Sequence, residues 1–392
     1  MLDRPVAPLS AYALDPAIVH LNHGSFGACP RAVLAEQDRL RARLEASPMR
    51  FFLLEWPALV DAARDRLAAF LGADPGGLVF VPNATTAVAT VLASLALAPG
   101  DEIVATDHTY RACRNALDRI VEAAGARIVL AHLPFPVREP DEHTRAILAA
   151  VTPRTRLALV DHITSATGLV SDLAAVVRGL EARGVPVLVD GAHAPGQVPV
   201  ALDAVGATYY AANCHKWLCA PKGAAILWVR ADRRDAVRPL VTSHGATLPL
   251  DGRTRYQVEH DWTGTHDPSH YLAIPKALDT VAELGGSWPA VMDRNHRLAI
   301  AGRDLLADLL GARPPAPDSM IGAMATLPIT LPAGATPGPF ERRLLESGWE
   351  VPIVDWPQLG LTAVRISAQL YNHLGDVEAL GRHLHALGVR GG

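Results

Sequence analysis

The sequence predicts an α/β fold built on a largely parallel sheet with helices on both faces. Three observations predict it. Seven short β-type runs recur between residues 77 and 229, helical patterns separate most of them, and the runs are apolar on both faces instead of alternating. Strands buried on both sides need a helical layer above and below, which is the arrangement of a parallel α/β sheet.

The runs are "GLVFV" (77–81), "EIVAT" (102–106), "RIVLA" (127–131), "RLALVD" (156–161), "VPVLVD" (185–190), "ATYYAA" (207–212) and "AAILWV" (224–229). Helical patterns fall at about 84–97, 111–124, 141–150 and 171–183. From about 276 the character changes. Helical segments run to "AGRDLLADLLGA", and "PPAPDS" (314–319) reads as a turn or linker. The remainder, with "GAMATLPITLP", "FERRLLESG", "WEVPIVDW", "TAVRISAQLYN" and "GDVEALGRHLHALG", reads as a small α+β unit. A chain of 392 residues is long for one core. The expected division is an N-terminal segment 1–50 packing on the small domain, a large domain 51–275 and a small C-terminal domain 276–392.

Bulk properties narrow the function classes. Apolar residues make up 49% and charged residues 19%, which supports a sizeable core and excludes disorder. A net charge of −4 asks for neither nucleic acid nor an anionic membrane as partner. The four cysteines, Cys29, Cys113, Cys214 and Cys219, form no Cys-x-x-Cys pair, which points to a reduced, cytoplasmic protein. The N-terminal stretch lacks a basic start followed by an apolar core, so no signal peptide is expected. No apolar run of about 18 residues appears, so no membrane span is expected. No Gly-x-Gly-x-x-Gly or Walker loop follows a strand, which weakens a nucleotide-binding reading.

Ligands of such sheets bind beyond the carboxyl ends of the strands. Five of those ends carry polar or ionisable groups: Asn83-Ala84-Thr85-Thr86, Asp107-His108-Thr109-Tyr110, Asp161-His162-Ile163-Thr164-Ser165, Asp190-Gly191-Ala192-His193 and Asn213-Cys214-His215-Lys216. Thr85 and Thr86 open a helix, where hydroxyls and free N–H groups suit a phosphate. An ordinary N-cap is the plainer explanation of that stretch alone. Asp190 ends an apolar strand and needs a cationic partner or several hydrogen bonds. Lys216, in "NCHKWLCAPKG" (213–223), follows another apolar strand and costs desolvation energy unless its amine is used. A lysine for a Schiff base, a carboxylate for a protonated pyridine nitrogen and a helix start for a phosphate are together the parts of a pyridoxal 5'-phosphate site.

With these residues in view the chain resembles the class V aminotransferase superfamily, fold type I of the pyridoxal-phosphate enzymes, in its isopenicillin N epimerase-like branch. The matching segments are "LNHGSFGACP", "NATTA", "DHTY", "DHITSATG", "VDGAHAPG", "CHKWLCAPKG", "WTGTHDPSHYLA" and "VRISAQLYN", in order along almost the whole chain. The resemblance implies a large domain with a mostly parallel seven-stranded sheet and a small α+β domain. It implies Lys216 as the Schiff-base lysine and Cα proton carrier, Asp190 on the pyridine nitrogen, and His193 on the ring hydroxyl or the linkage. Thr85, Thr86, His215 and Asn213 would bind phosphate. Gly264 and Thr265 would reach the phosphate of the neighbouring subunit, since the family builds its sites across a homodimer. Arg365 would hold the substrate carboxylate in a bidentate fork. Either His108 or Tyr110 would stack on the ring, with Tyr110 favoured. Ser165 stands where many relatives place an asparagine against the ring oxygen.

Other residues have two readings. Asn22, His23 and Ser25 are turn residues or line the substrate mouth. Arg50, before Phe51-Phe52, is a substrate-facing residue from the partner subunit or part of a packing cluster. His266 and His270 have the spacing of a zinc pair but no glutamate within the motif, so no metal is expected. Cys214 reads as a small buried thiol. No cysteine follows Cys219, which argues against persulfide chemistry on a C-terminal loop.

The expected activity is that of a pyridoxal-phosphate enzyme acting at Cα or Cβ of a small-molecule amino acid. β-Elimination from an S-substituted cysteine, a C–S lyase reaction suited to secondary metabolism, is preferred. Epimerisation at Cα is the alternative, then decarboxylation or transamination of a natural-product amino acid. A non-catalytic sensor of the cofactor would need a DNA-binding domain or the loss of Lys216 or Asp190, and neither is seen.

Overall fold

The structure, a computed structural model, describes residues 2–392. Its centre is a seven-stranded sheet of β1 (Leu78–Val81), β2 (Glu102–Thr106), β3 (Arg127–Ala131), β4 (Thr155–Asp161), β5 (Val187–Asp190), β6 (Tyr209–Asn213) and β7 (Ala225–Val229). The order across the sheet is β1-β7-β6-β5-β4-β2-β3, and β7 alone runs against the others. All seven runs read from the sequence are strands, with no end moved by more than two residues.

Both faces of this sheet are covered, as the two-sided apolar runs require. Period-two alternation divides each strand between two cores. Leu78, Phe80, Val160 and Val189 enter one, together with helix α1 (Arg31–Ala46), α2 (Trp56–Leu71) and α6 (Leu173–Glu181). Val79, Val81, Leu157, Leu159 and Leu188 enter the other, against α3 (Ala84–Ala93) and α4 (Arg111–Ala124). Between α4 and α6 in the chain lies α5 (Asp141–Ala149), and after β7 comes α7 (Arg255–Asp261).

The C-terminal part carries a second, antiparallel sheet. Its strands β8 (Met324–Thr330), β9 (Ile353–Trp356), β10 (Leu361–Ser367) and β11 (Arg390–Gly391) lie in the order β9-β10-β8-β11. The long helix α9 (Trp288–Leu310) packs on it, burying Leu298, Leu306 and Leu310 among Leu327, Val364 and Ile366.

Two features differ from the expected division. The first fifty residues are not one layer on the small sheet. Val19–His20 pairs with Trp349–Glu350, and Leu21 joins the small core, but α1 buries Val33 and Leu40 in the core under the large sheet. The expected boundary at 275/276 falls inside helix α8 (Ile274–Gly285), whose Ile274, Ala277 and Leu278 belong to that same large core. The helix is continuous there because its apolar stripe is continuous. Pro275 sits in its first turn, where a missing N–H costs nothing.

Candidate active site

Strand β6 ends at Asn213, and the chain turns through Cys214–Gly223 before returning as β7. Lys216 lies in that turn. Its backbone is wedged against the N-terminal segment: Gly27 has φ +72°, and a Cβ there would stand 2.0 Å from the His215 carbonyl oxygen. His23 secures the same turn, with Nε2 donating to the Lys216 carbonyl at 3.0 Å and Nδ1 accepting from the Tyr371 hydroxyl at 3.0 Å. Burial pushes the His23 imidazole down to about 3, so it is a neutral strut.

The Lys216 side chain enters a cavity of ≈ 160 Å³ with Asp161, Asp190, His193, Asn213, His215, Ser165, Thr85 and Tyr110 on its walls. Lys216 Nζ is 3.0 Å from His193 Nε2. Trp217 Nε1, a donor only, faces His193 Nδ1 at 3.4 Å. With the amine in its neutral form, Nδ1 is the acceptor, Nε2 carries the hydrogen and the lysine offers a lone pair. Burial lowers the Lys216 amine to about 8, partly opposed by the Asp190 charge. Burial also holds His193 well below its ordinary range, followed by the nearby Lys216 charge.

Asp190 ends β5 on the face of α4. One oxygen accepts from the Ala192 N–H at 3.0 Å, the other from the Cys113 thiol at 3.2 Å. Gly191 follows because a Cβ there would meet the Tyr210 ring at 2.3 Å. No cation pairs with Asp190 among the described residues. The start of α3 forms another wall. Its first N–H groups are partly used: Asn213 accepts from Ala84 N at 2.9 Å and Asn83 from Thr86 N at 2.8 Å. The Thr85 N–H and hydroxyl remain for an anion at the helix start.

Arg365 arrives from β10 of the other sheet and is buried. One terminal nitrogen donates to the Ser165 carbonyl, the other to Ser25 Oγ at 3.1 Å and to Asn22 Oδ1 at 3.4 Å. Nε has no partner, and Arg365 meets no carboxylate among the described residues. Burial lowers its pKa only to about 10, so it stays cationic. A wider cavity of ≈ 590 Å³ continues outward from Arg365, Ser25, Tyr110 and Ser165 toward Trp356.

Other expected site residues lie elsewhere. His108 turns away from Lys216 into a buried cluster, 4.4 Å in ring separation from Trp356, with Nδ1 at 3.2 Å from Thr167 Oγ1. Tyr110, 46% exposed, is the aromatic residue of that loop facing the lysine. The Thr86 hydroxyl bonds to its own cap, Asn83. His23 sits behind the lysine turn instead of lining the substrate mouth. Gly264 and Thr265 line a separate cavity of ≈ 320 Å³ with His266, His270 and Tyr271. Arg50 is on the surface, paired with Glu55 at 3.2 Å. No cluster of three metal-ligating side chains occurs among the described residues, and no helix of theirs is long and apolar enough to cross a membrane. Cys214 is buried and its thiol is pushed up by burial. Two residues were given no role by sequence reasoning: Cys113, deep in α4, and Asp161. Asp161 carries the same signal as Asp190, a carboxylate closing an apolar strand.

This set fits pyridoxal 5'-phosphate in the parts the group presents: an aldehyde for a buried amine near neutrality, a pyridine nitrogen for a carboxylate without a cation, and a phosphate for a helix start. Residues 29–331 match the family model described as aminotransferase class-V. The chain is 37% identical to an isopenicillin N epimerase of Amycolatopsis lactamdurans, over 96% of each chain. It is 30% identical to a probable chloroplastic L-cysteine desulfhydrase of Arabidopsis thaliana, over 96% of this chain and 84% of the relative. Among solved structures, a cystine C–S lyase bound to cysteine persulfide superposes with a TM-score of 0.79 at 20% identity, over 94% of this chain and 97% of the other. That last likeness shows the fold, which is the type I fold of pyridoxal-phosphate enzymes. The chain belongs to the aminotransferase class-V family, in the branch of the isopenicillin N epimerases, and its cofactor is pyridoxal 5'-phosphate.

Proposed function

We propose that this enzyme cleaves the C–S bond of an S-substituted cysteine by β-elimination. The supporting observation is that the Lys216 cavity holds one group suited to taking and returning a proton near neutrality. Lys216 sits at about 8, whereas burial lowers His193 and His215 and raises Asp161.

Bound pyridoxal phosphate supplies an electron sink for the bond broken at Cα. The chain's own residues do the rest. Arg365 fixes the substrate carboxylate with its guanidinium edge, which places Cα over the lysine. The Lys216 amine takes the Cα proton. The electron pair of the Cα–H bond then expels the sulfur from Cβ, and the Lys216 ammonium returns the proton to the departing thiolate. The enamine left behind hydrolyses in water to pyruvate and ammonia. A thiolate leaves readily because its conjugate acid has a pKa of about 8.5. The ≈ 590 Å³ cavity beyond Arg365 offers room for the sulfur substituent.

In the same reading Asp190 would keep the cofactor's ring nitrogen protonated, Tyr110 would hold the ring, and Thr85, His215 and Asn213 would bind the phosphate. The chain works as a homodimer in the cytoplasm, with Gly264 and Thr265 reaching the partner's site. Their position outside the Lys216 cavity favours that role. The exposed apolar side chains of Met49, Leu53 and Leu54 favour a partner surface nearby.

A second reading is epimerisation at Cα, favoured by the 37% identity to an isopenicillin N epimerase. It needs an acid on the face opposite Lys216, and the Tyr110 phenol is the group available. Two assays on one sample in deuterated water separate the readings. Elimination releases thiol, pyruvate and ammonia from S-substituted cysteines. Deuterium at an inverted Cα, with no thiol from any conjugate, would reject the lyase in favour of the epimerase.

A further inference from the structure

Asp161 is a second buried carboxyl in the Lys216 cavity. It is the last residue of β4 and stands in register with Asp190, the last residue of β5. Neighbouring strands lie about 4.8 Å apart, and register partners project to the same face. The cores agree with that geometry: Leu159 and Leu157, two and four residues before Asp161, share one cluster with Leu188, two before Asp190. Both aspartates are 6% exposed, and both line the same cavity.

Their surroundings differ. Asp190 accepts from the Ala192 N–H and the Cys113 thiol. The Asp161 carboxyl accepts no hydrogen bond among the described residues; beside the strand ladder, its backbone carbonyl accepts from Ser171 Oγ at 2.8 Å. The groups facing the pair are Cys113 from α4, Tyr210 from β6, whose phenol is raised by burial and then by the Asp190 charge, and, around the cavity, Tyr110, His193, His215 and Lys216. The two histidines are held neutral by burial. The lysine amine is engaged with His193 and responds to the charge of Asp190. Two carboxylates side by side without a cation cannot both ionise. Burial, followed by the Asp190 charge, raises Asp161 well above the ordinary carboxyl range.

We propose that Asp161 is a positioning residue that keeps its proton at neutral pH and donates it to the Asp190 carboxylate. The pair then presents one negative charge to one protonated ring nitrogen. The Asp161 hydroxyl holds the Asp190 carboxylate in place from the side that the Cys113 thiol does not reach. The assignment is independent of which bond the enzyme breaks. It rests on Asp190 as the partner of the ring nitrogen, which the spectrum of an Asp190→Asn holoenzyme checks separately.

The test is infrared difference spectroscopy of the wild-type holoenzyme against Asp161→Asn at neutral pH, joined to cofactor affinity. The wild type should show a protonated-carboxyl C=O stretch that the variant lacks. Asp161→Ala should weaken cofactor binding about tenfold, the loss of one hydrogen bond to a charged group. Asp161→Asn, which keeps a neutral donor, should recover affinity to within about threefold of wild type. A wild-type spectrum without a protonated-carboxyl stretch overturns the proposal and needs no variant to fold. Equal weakening by Asn and Ala also overturns it, since that is the result for an ionised Asp161. Neither readout depends on turnover, so failure of the lyase reading leaves this test intact.

Discussion

Arg64 and Arg365 are almost equally buried, at 2% and 5% exposure, and are served in opposite ways. Arg64, on α2 under the large sheet, holds Asp261 through two bonds of 2.6 Å and Asp61 at 2.7 Å. Arg365, between the two sheets, holds a carbonyl, a hydroxyl and an amide oxygen, with no carboxylate in contact among the described residues. Burying a guanidinium costs several kcal/mol either way. In the first region the chain supplies the counter-charge, so the arginine is part of the fold. In the second no carboxylate among the described residues touches the guanidinium, the Glu341 charge acting only from a distance, and a paired anion is left for a ligand to bring. Lys216 belongs with Arg365 in this contrast. Its burial is also without a carboxylate bond, but an amine yields its proton where a guanidinium does not.

Four variants or measurements press on that contrast. Removing the amine should have the largest effect. Lys216→Ala should lower turnover by about 10⁴-fold or more, since it deletes both the linkage and the proton carrier. Borohydride should no longer fix the cofactor to the chain, and a reduced cofactor found on a peptide without Lys216 would contradict the assignment.

Next comes Arg64→Ala, which should cost about 3–5 kcal/mol of stability because Asp261 is left buried and charged. Denaturant titration reads this, and a loss below 1 kcal/mol, on the order of a surface pair, would erase the distinction between the two arginines.

Arg365→Ala should show the reverse pattern. Stability should be unchanged or raised, while the KM of amino-acid substrates rises by an amount worth about 2–4 kcal/mol. Arg365→Lys should recover only part, because an ammonium lacks the planar fork. An unaltered KM in the alanine variant would mean that the carboxylate binds elsewhere.

The smallest effect is on pH. Only the neutral amine attacks the cofactor's aldehyde, and Lys216 is lowered from 10.5 to about 8. The rate at which the apo-protein captures pyridoxal phosphate should therefore climb with pH and level off above about 8. A plateau displaced to the ordinary lysine range would show that burial does not tune this amine.

The large sheet was legible because its strands are apolar on both faces and its helices lie between them. Strand ends were legible for the same reason, so Asp190, Asn213 and Lys216 could be placed near one another from periodicity alone. The direction of a side chain beyond a strand end is not written in that period. His108 and Tyr110 are two residues apart on one loop, yet one packs on Trp356 and the other faces the lysine. His23 stands in a polar, Gly-rich stretch that suggested a mouth, but Gly27 presses the segment onto the His215–Lys216 backbone and turns His23 behind it. Asp161 carries the same strand-end signal as Asp190, and a pyridine nitrogen calls for one carboxylate. That two would share one face needed the register between β4 and β5, which a single sequence does not give.

The Gly27 wedge has a consequence for the order of events in assembly. The lysine turn is held from behind by residues 23–27, and the carboxylate fork comes from β10, more than three hundred residues later in the chain. A chain emerging from the ribosome presents the wedge first, the amine midway and the guanidinium near the end. The sheet between them can close on its own mostly local crossovers, but the catalytic centre joins contacts of very long sequence separation, whose loop-closure entropy delays them. Reactive competence should thus lag behind secondary structure during refolding, and a chain halted before β10 should hold a formed sheet around an amine that has nothing to hold its substrate.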